Sequence, residues 1–84
     1  MKRGAVYRLI GAERSRQQKA WNREHEHGYG DCSSDRVTEP IKAAVLGEEY
    51  GEVCRALLDG DAEGLRNELV QVAAVAVAWL EGLE

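Results

Sequence analysis

The sequence predicts an all-α protein in which a polar first helix precedes an antiparallel helical hairpin. Three observations predict this fold. No segment shows the apolar–polar alternation of a half-buried strand. Thr38 and Asp61 each precede a long run of helix formers with apolar residues at helical spacing. With two Trp, three Tyr and no Phe, the core is expected to consist of Ala, Val and Leu, which suit close helix packing.

The chain of 84 residues is expected to form one domain, 1–84. Residues 1–11 lack clear periodicity and are expected either to form a helical lead-in or to fray. A first helix is expected from about Ala12 to Arg23, where strong helix formers predominate and apolar residues are few. Residues 24–37, rich in Gly, Ser and Asp, are expected to form a loop.

This loop contains His25, His27, Asp31 and Cys32, which are all residue types that bind zinc. The sequence has no second ligand pair at the spacing of a zinc finger or ribbon, so the zinc signal is weak. A mobile loop with incidental polar residues is the favoured alternative. A loop of this length also suits a lid or a substrate-contact segment.

The helical hairpin has clear start and stop signals. With Thr38 as its N-cap, the second helix is expected from about Glu39 to Leu58. Gly60 is suited to end this helix, and Asp61 to cap a third helix from about Ala62 to Leu83. Because the connection is this short, the two helices are expected to be antiparallel neighbours.

Acidic residues interrupt the apolar faces of both hairpin helices. At about 100° per residue, Glu49 and Glu52 fall in an otherwise apolar row of the second helix, and Glu48 lies nearer solvent. Glu68 falls at the centre of the main apolar face of the third helix. Such facing carboxylates repel one another unless a cation lies between them. Carboxylate oxygens are ligands of Mg²⁺, which commonly carries substrate phosphates, so the pattern predicts a Mg²⁺ site.

The third helix is apolar nearly all round between residues 70 and 77. A helix of this kind is buried on both sides. Its second side is therefore expected to meet another subunit through a two-fold axis, and dimerisation would complete a core like a four-helix bundle.

The charge of the chain argues against a nucleic-acid polymer as partner, because the formal net charge is −4. Seven of its eleven Lys and Arg residues lie in the first 23, which indicates either a solvated helix surface or a cationic arm over a phosphate-bearing ligand. No apolar segment of signal-peptide type follows Met1, and Val70–Leu80 is too short to span a membrane. With two cysteines that suggest no disulfide framework, a cytoplasmic location without membrane contact is expected.

The acidic residues also form a recognisable motif. Glu48-Glu49-x-x-Glu52, followed by Glu68-x-x-Gln71, resembles the EExxE…ExxD signature of the MazG-like, all-α nucleoside triphosphate pyrophosphohydrolases. The resemblance covers about residues 12–83 and is closest to small bacterial and phage members. The segments similar to the helices of that family are Glu13-Arg14, Gln17-x-x-x-Trp21, 40–53 and 68–79.

The resemblance implies a dimer or dimer of dimers that hydrolyses an NTP or dNTP to the monophosphate and pyrophosphate. It implies that Mg²⁺, or Mn²⁺ in its place, is held by Glu49, Glu52 and Glu68. Glu48 would be a further ligand or the base for the attacking water, so Glu48 and Glu49 are the expected catalytic residues.

Gln17, Trp21 and Lys42 are candidate substrate contacts, by base stacking or phosphate pairing, although Trp21 is equally suited to anchor a weakly apolar helix. The chain departs from the family motif at Gln71, where the signature has Asp. An amide oxygen still coordinates Mg²⁺ but adds no negative charge. A non-catalytic helical dimer that binds nucleotide, metal or a protein partner is therefore the alternative function.

Overall fold

The computed structural model describes residues 1–83, which form three α-helices and one small β-hairpin. The predicted mostly helical fold is confirmed. The elements in chain order are α1 (Arg3–Trp21), β1 (Glu24–His25), β2 (Gly28–Tyr29), α2 (Glu39–Leu58) and α3 (Ala62–Gly82).

The caps that were predicted for the hairpin helices are present. The backbone N–H of Ile41 donates to Thr38 Oγ1 at 3.4 Å, and that of Gly64 donates to Asp61 Oδ1 at 2.8 Å. Between the helices Gly60 has a φ of +65°, which favours glycine. At the far end of the pair the Trp79 indole donates to the Glu39 carboxylate. The end of α3 therefore lies beside the start of α2, and the two helices are antiparallel.

Helix α1 begins at Arg3 instead of Ala12 and ends at Trp21 instead of Arg23. Val6 and Ile10 are half-buried, and the same face continues through Arg14 and Gln17, which are both buried. The buried face thus changes from apolar to polar along the helix. Of the two alternatives expected for residues 1–11, a helical lead-in and a frayed segment, the structure shows the helical one from Arg3 onward, continuous with the rest of α1.

The segment expected to be a loop contains a short β-hairpin. Glu24 pairs with Tyr29 and His25 with Gly28 in antiparallel register. Strands of two residues are too short to show alternation, which is why the pattern of apolar and polar residues contains no strand signal. Gly28 has a φ of +129°, and a Cβ there would lie 2.0 Å from the carbonyl oxygen of Arg36, so only glycine fits this turn.

The core is centred on α3, which packs against both α1 and α2. Ala74 and Ala78 are 0% and 1% exposed, and Val75 forms an apolar cluster with Ala78 and Cys32. The prediction that the second side of α3 meets another subunit stays a prediction. Helix α1 of the same chain packs along α3, because α1 extends two turns further than its composition suggested.

Apolar side chains remain exposed on the outer surface of the two hairpin helices. Tyr50, Leu57 and Leu80 are 62%, 61% and 65% exposed. Tyr50 and Leu57 are seven residues apart and share one face of α2, which the single chain leaves partly uncovered. Within residues 1–83, no helix combines the length and the apolar character needed to cross a membrane.

Candidate functional site

A cleft of about 400 Å³ opens between α1, the β-hairpin and the α2–α3 pair. Its walls combine acidic, basic and aromatic side chains over an apolar floor. The lining includes Arg16, Gln17 and Trp21 from α1, His25, His27 and Asp31 from the hairpin region, Ile41, Val45, Glu48 and Glu49 from α2, and Gln71 and Val75 from α3.

Three of the acids predicted to face one another are brought together around Glu49. Burial raises the pKa of the half-buried Glu49 carboxyl, and the negative charges of Glu68, Glu52 and Glu13 raise it further. Glu68 Oε2 is buried and has no hydrogen-bond partner. The charge conflict expected from the sequence is therefore present where α2 meets α3.

The other residues of the motif differ in their exposure and in whether they line the cleft. Glu48 is exposed and Gln71 is half-buried, and both line the cleft beside Glu49. Glu52 is exposed and does not line the cleft, although its charge acts on Glu49. Glu49 and the two acids of the hairpin helices that act on it, Glu52 and Glu68, are called the acidic region below; of these three, Glu49 lines the cleft.

The chemistry of these side chains fits a hard divalent cation, because carboxylate and amide oxygens are its preferred donors. Glu68 Oε2 is buried without a partner, and burial together with neighbouring negative charge favours the neutral form of Glu49. Within residues 1–83, no three His, Cys, Asp or Glu side chains are already arranged as ligands of one ion. The individual metal ligands therefore stay predictions, and binding would require side-chain rotation.

A fourth carboxylate, Glu13, approaches the acidic region from α1. Its oxygens accept bonds from Arg16 Nε at 2.8 Å and Arg16 Nη2 at 2.5 Å, and a weaker bond from Gln17 Nε2 at 3.3 Å. The bonds from Arg16 lower the pKa of Glu13 and outweigh its partial burial, so this carboxyl is ionised at neutral pH. Sequence analysis did not assign Glu13 to the site, because the position of α1 relative to α2 is a tertiary property.

Two of the three predicted substrate contacts lie in the cleft. Gln17 is buried, whereas Trp21 is 44% exposed and therefore lies outside the core. The Trp21 ring meets the His25 ring edge-on at 5.3 Å between centroids, and the Arg23 guanidinium lies 4.8 Å from the Trp21 centroid. This wall offers a planar aromatic surface with positive charge beside it.

Lys42, the third predicted substrate contact, does not line the cleft. It is 1% exposed, and its Nζ lies 3.9 Å from Glu39 Oε1. A Cβ on Gly82 would lie only 2.8 Å from Lys42 Nζ and 3.0 Å from the carbonyl oxygen of Ser33. In this structure Lys42 therefore lies where α2, the end of α3 and the hairpin segment meet.

An ion-pair network holds the hairpin segment against α1 and α3. Arg14 Nη1 lies 2.6 Å from Asp31 Oδ2, and Arg14 Nε lies 2.7 Å from Glu81 Oε1. The Asp31 carboxylate also accepts bonds from the Ser33 N–H at 2.9 Å and the Ser33 hydroxyl at 2.6 Å. Burial alone would raise the pKa of Asp31, but the bonds from Ser33 and the charge of Arg14 outweigh it and lower this pKa. Asp31 thereby fixes one wall of the cleft.

The possible zinc ligands of the hairpin segment are engaged in other contacts. His25 Nε2 lies 2.7 Å from the carbonyl oxygen of Gly30, and His25 Nδ1 accepts a bond from the His27 N–H at 3.2 Å. Cys32 is buried in the core, and this burial raises the pKa of its thiol. These contacts give the residues structural roles within the hairpin and the core.

The arrangement suits a ligand with an anionic, cation-binding part and a planar ring. The acidic region would hold the cation. Arg16 lines the same cleft, and Trp21 and His25 form its aromatic wall. Comparison of the chain with known protein families, characterised proteins and solved structures finds no significant match.

Proposed function

We propose that this protein is a Mg²⁺-dependent nucleotide pyrophosphohydrolase, which converts an NTP or dNTP to the monophosphate and pyrophosphate. One observation carries the proposal. Glu49 lines a cleft that also presents Trp21 and His25, and the charges of Glu68 and Glu52, which lie outside the cleft, act on Glu49. The resemblance of the motif Glu48 to Gln71 to the MazG-like signature supports the same chemistry.

Each part of the nucleotide has a suitable counterpart in the cleft. The Trp21 ring is exposed enough to stack on a base, and Gln17 lies one turn away with an amide that suits hydrogen bonding to a base edge. Arg16 is the cleft-lining cation nearest to the acids, and its guanidinium suits pairing with phosphate oxygens. The cleft volume of about 400 Å³ lies within the range of small-molecule sites.

The carboxylates would act on the cation and on water. Mg²⁺, when bound, neutralises triphosphate charge and lowers the pKa of water for attack on phosphorus. Glu49, Glu52 and Glu68 would hold it, with Gln71 as an uncharged donor. Glu48 is exposed at the cleft, and under this proposal it would accept the proton of the attacking water.

The test is to incubate the protein with a panel of NTPs and dNTPs plus Mg²⁺ or Mn²⁺ and to measure pyrophosphate. Wild type should release pyrophosphate from at least one nucleotide, and Glu49→Gln should lose this activity. Asp35→Asn is the matched control, because it removes one charge from an exposed residue outside the cleft. Absence of turnover with every nucleotide and both metals would reject the proposal.

The alternative is a non-catalytic domain that binds nucleotide, metal or a protein partner. Gln71 supports it, because this uncharged residue lies in the cleft beside Glu49. Thermal melts with Mg²⁺ and a nucleotide separate the two functions. Stabilisation by ligand without pyrophosphate release would favour the alternative.

We further propose that the protein forms a dimer or dimer of dimers through α2 and α3. The exposed Tyr50, Leu57, Leu69 and Leu80 side chains support this, since they would leave water at a helix–helix interface. Light scattering during size-exclusion chromatography measures the assembly. A monomer at micromolar concentration would contradict the proposal.

A further inference from the structure

Gln17 is a buried polar residue that lines the cleft. It is 8% exposed and is one of two polar residues that α1 buries. The other, Arg14, is paired with Asp31 and Glu81, so contacts within the protein explain its burial. The amide of Gln17 makes one hydrogen bond within residues 1–83, from Nε2 to Glu13 Oε2 at 3.3 Å. Its oxygen end is therefore left for water or a ligand, because a buried amide without partners is costly.

We propose that Gln17 determines base specificity by accepting a hydrogen bond from an exocyclic amino group, and that Glu13 is the positioning residue that fixes the Gln17 amide in this sense. The favoured ligands are nucleotides with an amino group where others have a keto group, as in cytosine against uracil or adenine against hypoxanthine. The inference rests on the proposed function for the identity of the ligand as a nucleotide. It concerns binding and does not depend on hydrolysis.

Glu13 fixes which end of the amide is open. Its ionised carboxylate only accepts hydrogen bonds, so the Gln17 atom that faces it is the nitrogen. The Arg16 guanidinium binds both oxygens of this carboxylate, at 2.8 and 2.5 Å, and so holds the carboxylate in place. Glu13 itself does not line the cleft. It therefore acts on a ligand through the residues that it holds.

The oxygen of the Gln17 amide is open to the cleft. Within residues 1–83, the buried side-chain nitrogen and oxygen atoms without a partner are Arg14 Nη2 and Glu68 Oε2. Gln17 Oε1 is not among them, although it accepts no hydrogen bond from that part of the chain. This oxygen is therefore accessible, and the space that Gln17 lines is the cleft. An open amide oxygen accepts from an amino group and repels a keto oxygen.

Trp21 would bring a base to this oxygen. It follows Gln17 by four residues, so the two side chains are neighbours on one face of α1. Both line the cleft, and the Trp21 ring contacts the His25 ring edge-on at 5.3 Å between centroids. A base stacked on Trp21 would have one edge beside the Gln17 amide. Stacking alone tolerates every base, so the amide would supply the discrimination.

Calorimetric titration with nucleoside monophosphates tests the proposal without metal or turnover. Two pairs exchange one amino group for a keto group: cytidine and uridine monophosphate, and adenosine and inosine monophosphate. Wild type should bind the amino member about tenfold more tightly in at least one pair, because the keto member loses the hydrogen bond to Gln17. Gln17→Met keeps the volume but not the amide, and it should bring the ratio of affinities to about one.

Glu13→Gln tests the positioning role, because the new amide donates as well as accepts and no longer fixes the sense of Gln17. The ratio should fall by about threefold or more. A merely structural role of Glu13 would weaken both members equally and leave the ratio unchanged. Gln18→Met is the matched control, since Gln18 is exposed and does not line this cleft, and its ratio should equal that of wild type.

Several results would overturn the proposal. These are no binding of any of the four monophosphates by wild type, no preference for the amino member in either pair, and an unchanged ratio in Gln17→Met or in a folded Glu13→Gln. Should Glu13→Gln fail to fold, as judged by circular dichroism, the ratio in Gln17→Met still decides the matter. Absent pyrophosphate release with the base preference intact would reject the proposed function alone, whereas release without a preference would reject this inference alone.

Discussion

Replacing Asp31 with Asn tests the network that fixes the hairpin wall of the cleft. The Arg14 and Asp31 side chains are only 9% and 8% exposed, and they meet at 2.6 Å. Arg14 Nη2 is already buried without a partner, so loss of the Asp31 charge would leave the guanidinium poorly compensated. The second partner of Arg14, Glu81, is 51% exposed and is therefore partly screened by water.

Breaking one side of a buried ion pair costs about 3–5 kcal/mol. We expect Asp31→Asn to cost about 3 kcal/mol, at the lower end, because the Asn oxygen still accepts a hydrogen bond and Glu81 still contributes. For a domain of this size such a loss lowers Tm by about 12–24 °C. Glu81→Gln is the matched control and should cost about 1 kcal/mol or less.

Urea denaturation of wild type, Asp31→Asn and Glu81→Gln at pH 7 measures these differences. Because the folded-state pKa of Asp31 lies below its ordinary value of 3.8, its stabilisation is present above that value and is lost as the pH falls through the lowered pKa. The difference between wild type and Asp31→Asn should therefore shrink below about pH 3.8. A loss smaller than about 1 kcal/mol at pH 7, or one equal to that of Glu81→Gln, would refute the reasoning.

Three further predictions concern single positions. Without divalent cations, Glu49→Gln should raise the urea midpoint at pH 7 but not near pH 4. The pKa of Glu49 is raised in the folded protein, so its protonated form contributes stability at low pH that is lost as the pH rises through this pKa. An unchanged midpoint at pH 7 would contradict this prediction. In urea denaturation, Gly82→Ala should lower the free energy of unfolding by about 1–3 kcal/mol, because the added Cβ would lie 2.8 Å from Lys42 Nζ. Its control, Gly47→Ala, adds a Cβ in open space within a helix and should raise the free energy of unfolding by about 0.5–1 kcal/mol. Gly28→Ala should lower Tm and weaken nucleotide binding, because the φ of +129° and the Arg36 carbonyl oxygen leave no room for a Cβ at this position. A variant that melts at the wild-type Tm would argue against a rigid hairpin wall.

Local signals were sufficient to locate the hairpin helices and their acidic faces. Thr38, Gly60 and Asp61 act within one turn of the chain, so their effect on helix ends does not depend on distant residues. The helical period likewise fixes which side chains share a face, and the charge of Glu68 on α3 raises the pKa of Glu49 on α2. These properties depend on spacing along one or two adjacent helices.

The tertiary structure alone decided what lies opposite those faces. Helix α1 buries Arg14 and Gln17, and it brings Glu13 to the acids of the helical hairpin. Neither result is visible in the sequence, because burial of a polar side chain depends on partners that are distant along the chain, such as Asp31 for Arg14. Sequence thus determined the hairpin helices and the helix faces on which their acids lie. Packing determined which of these acids are covered, since Glu49 and Glu68 are half-buried whereas Glu52, also expected in an apolar row, is exposed.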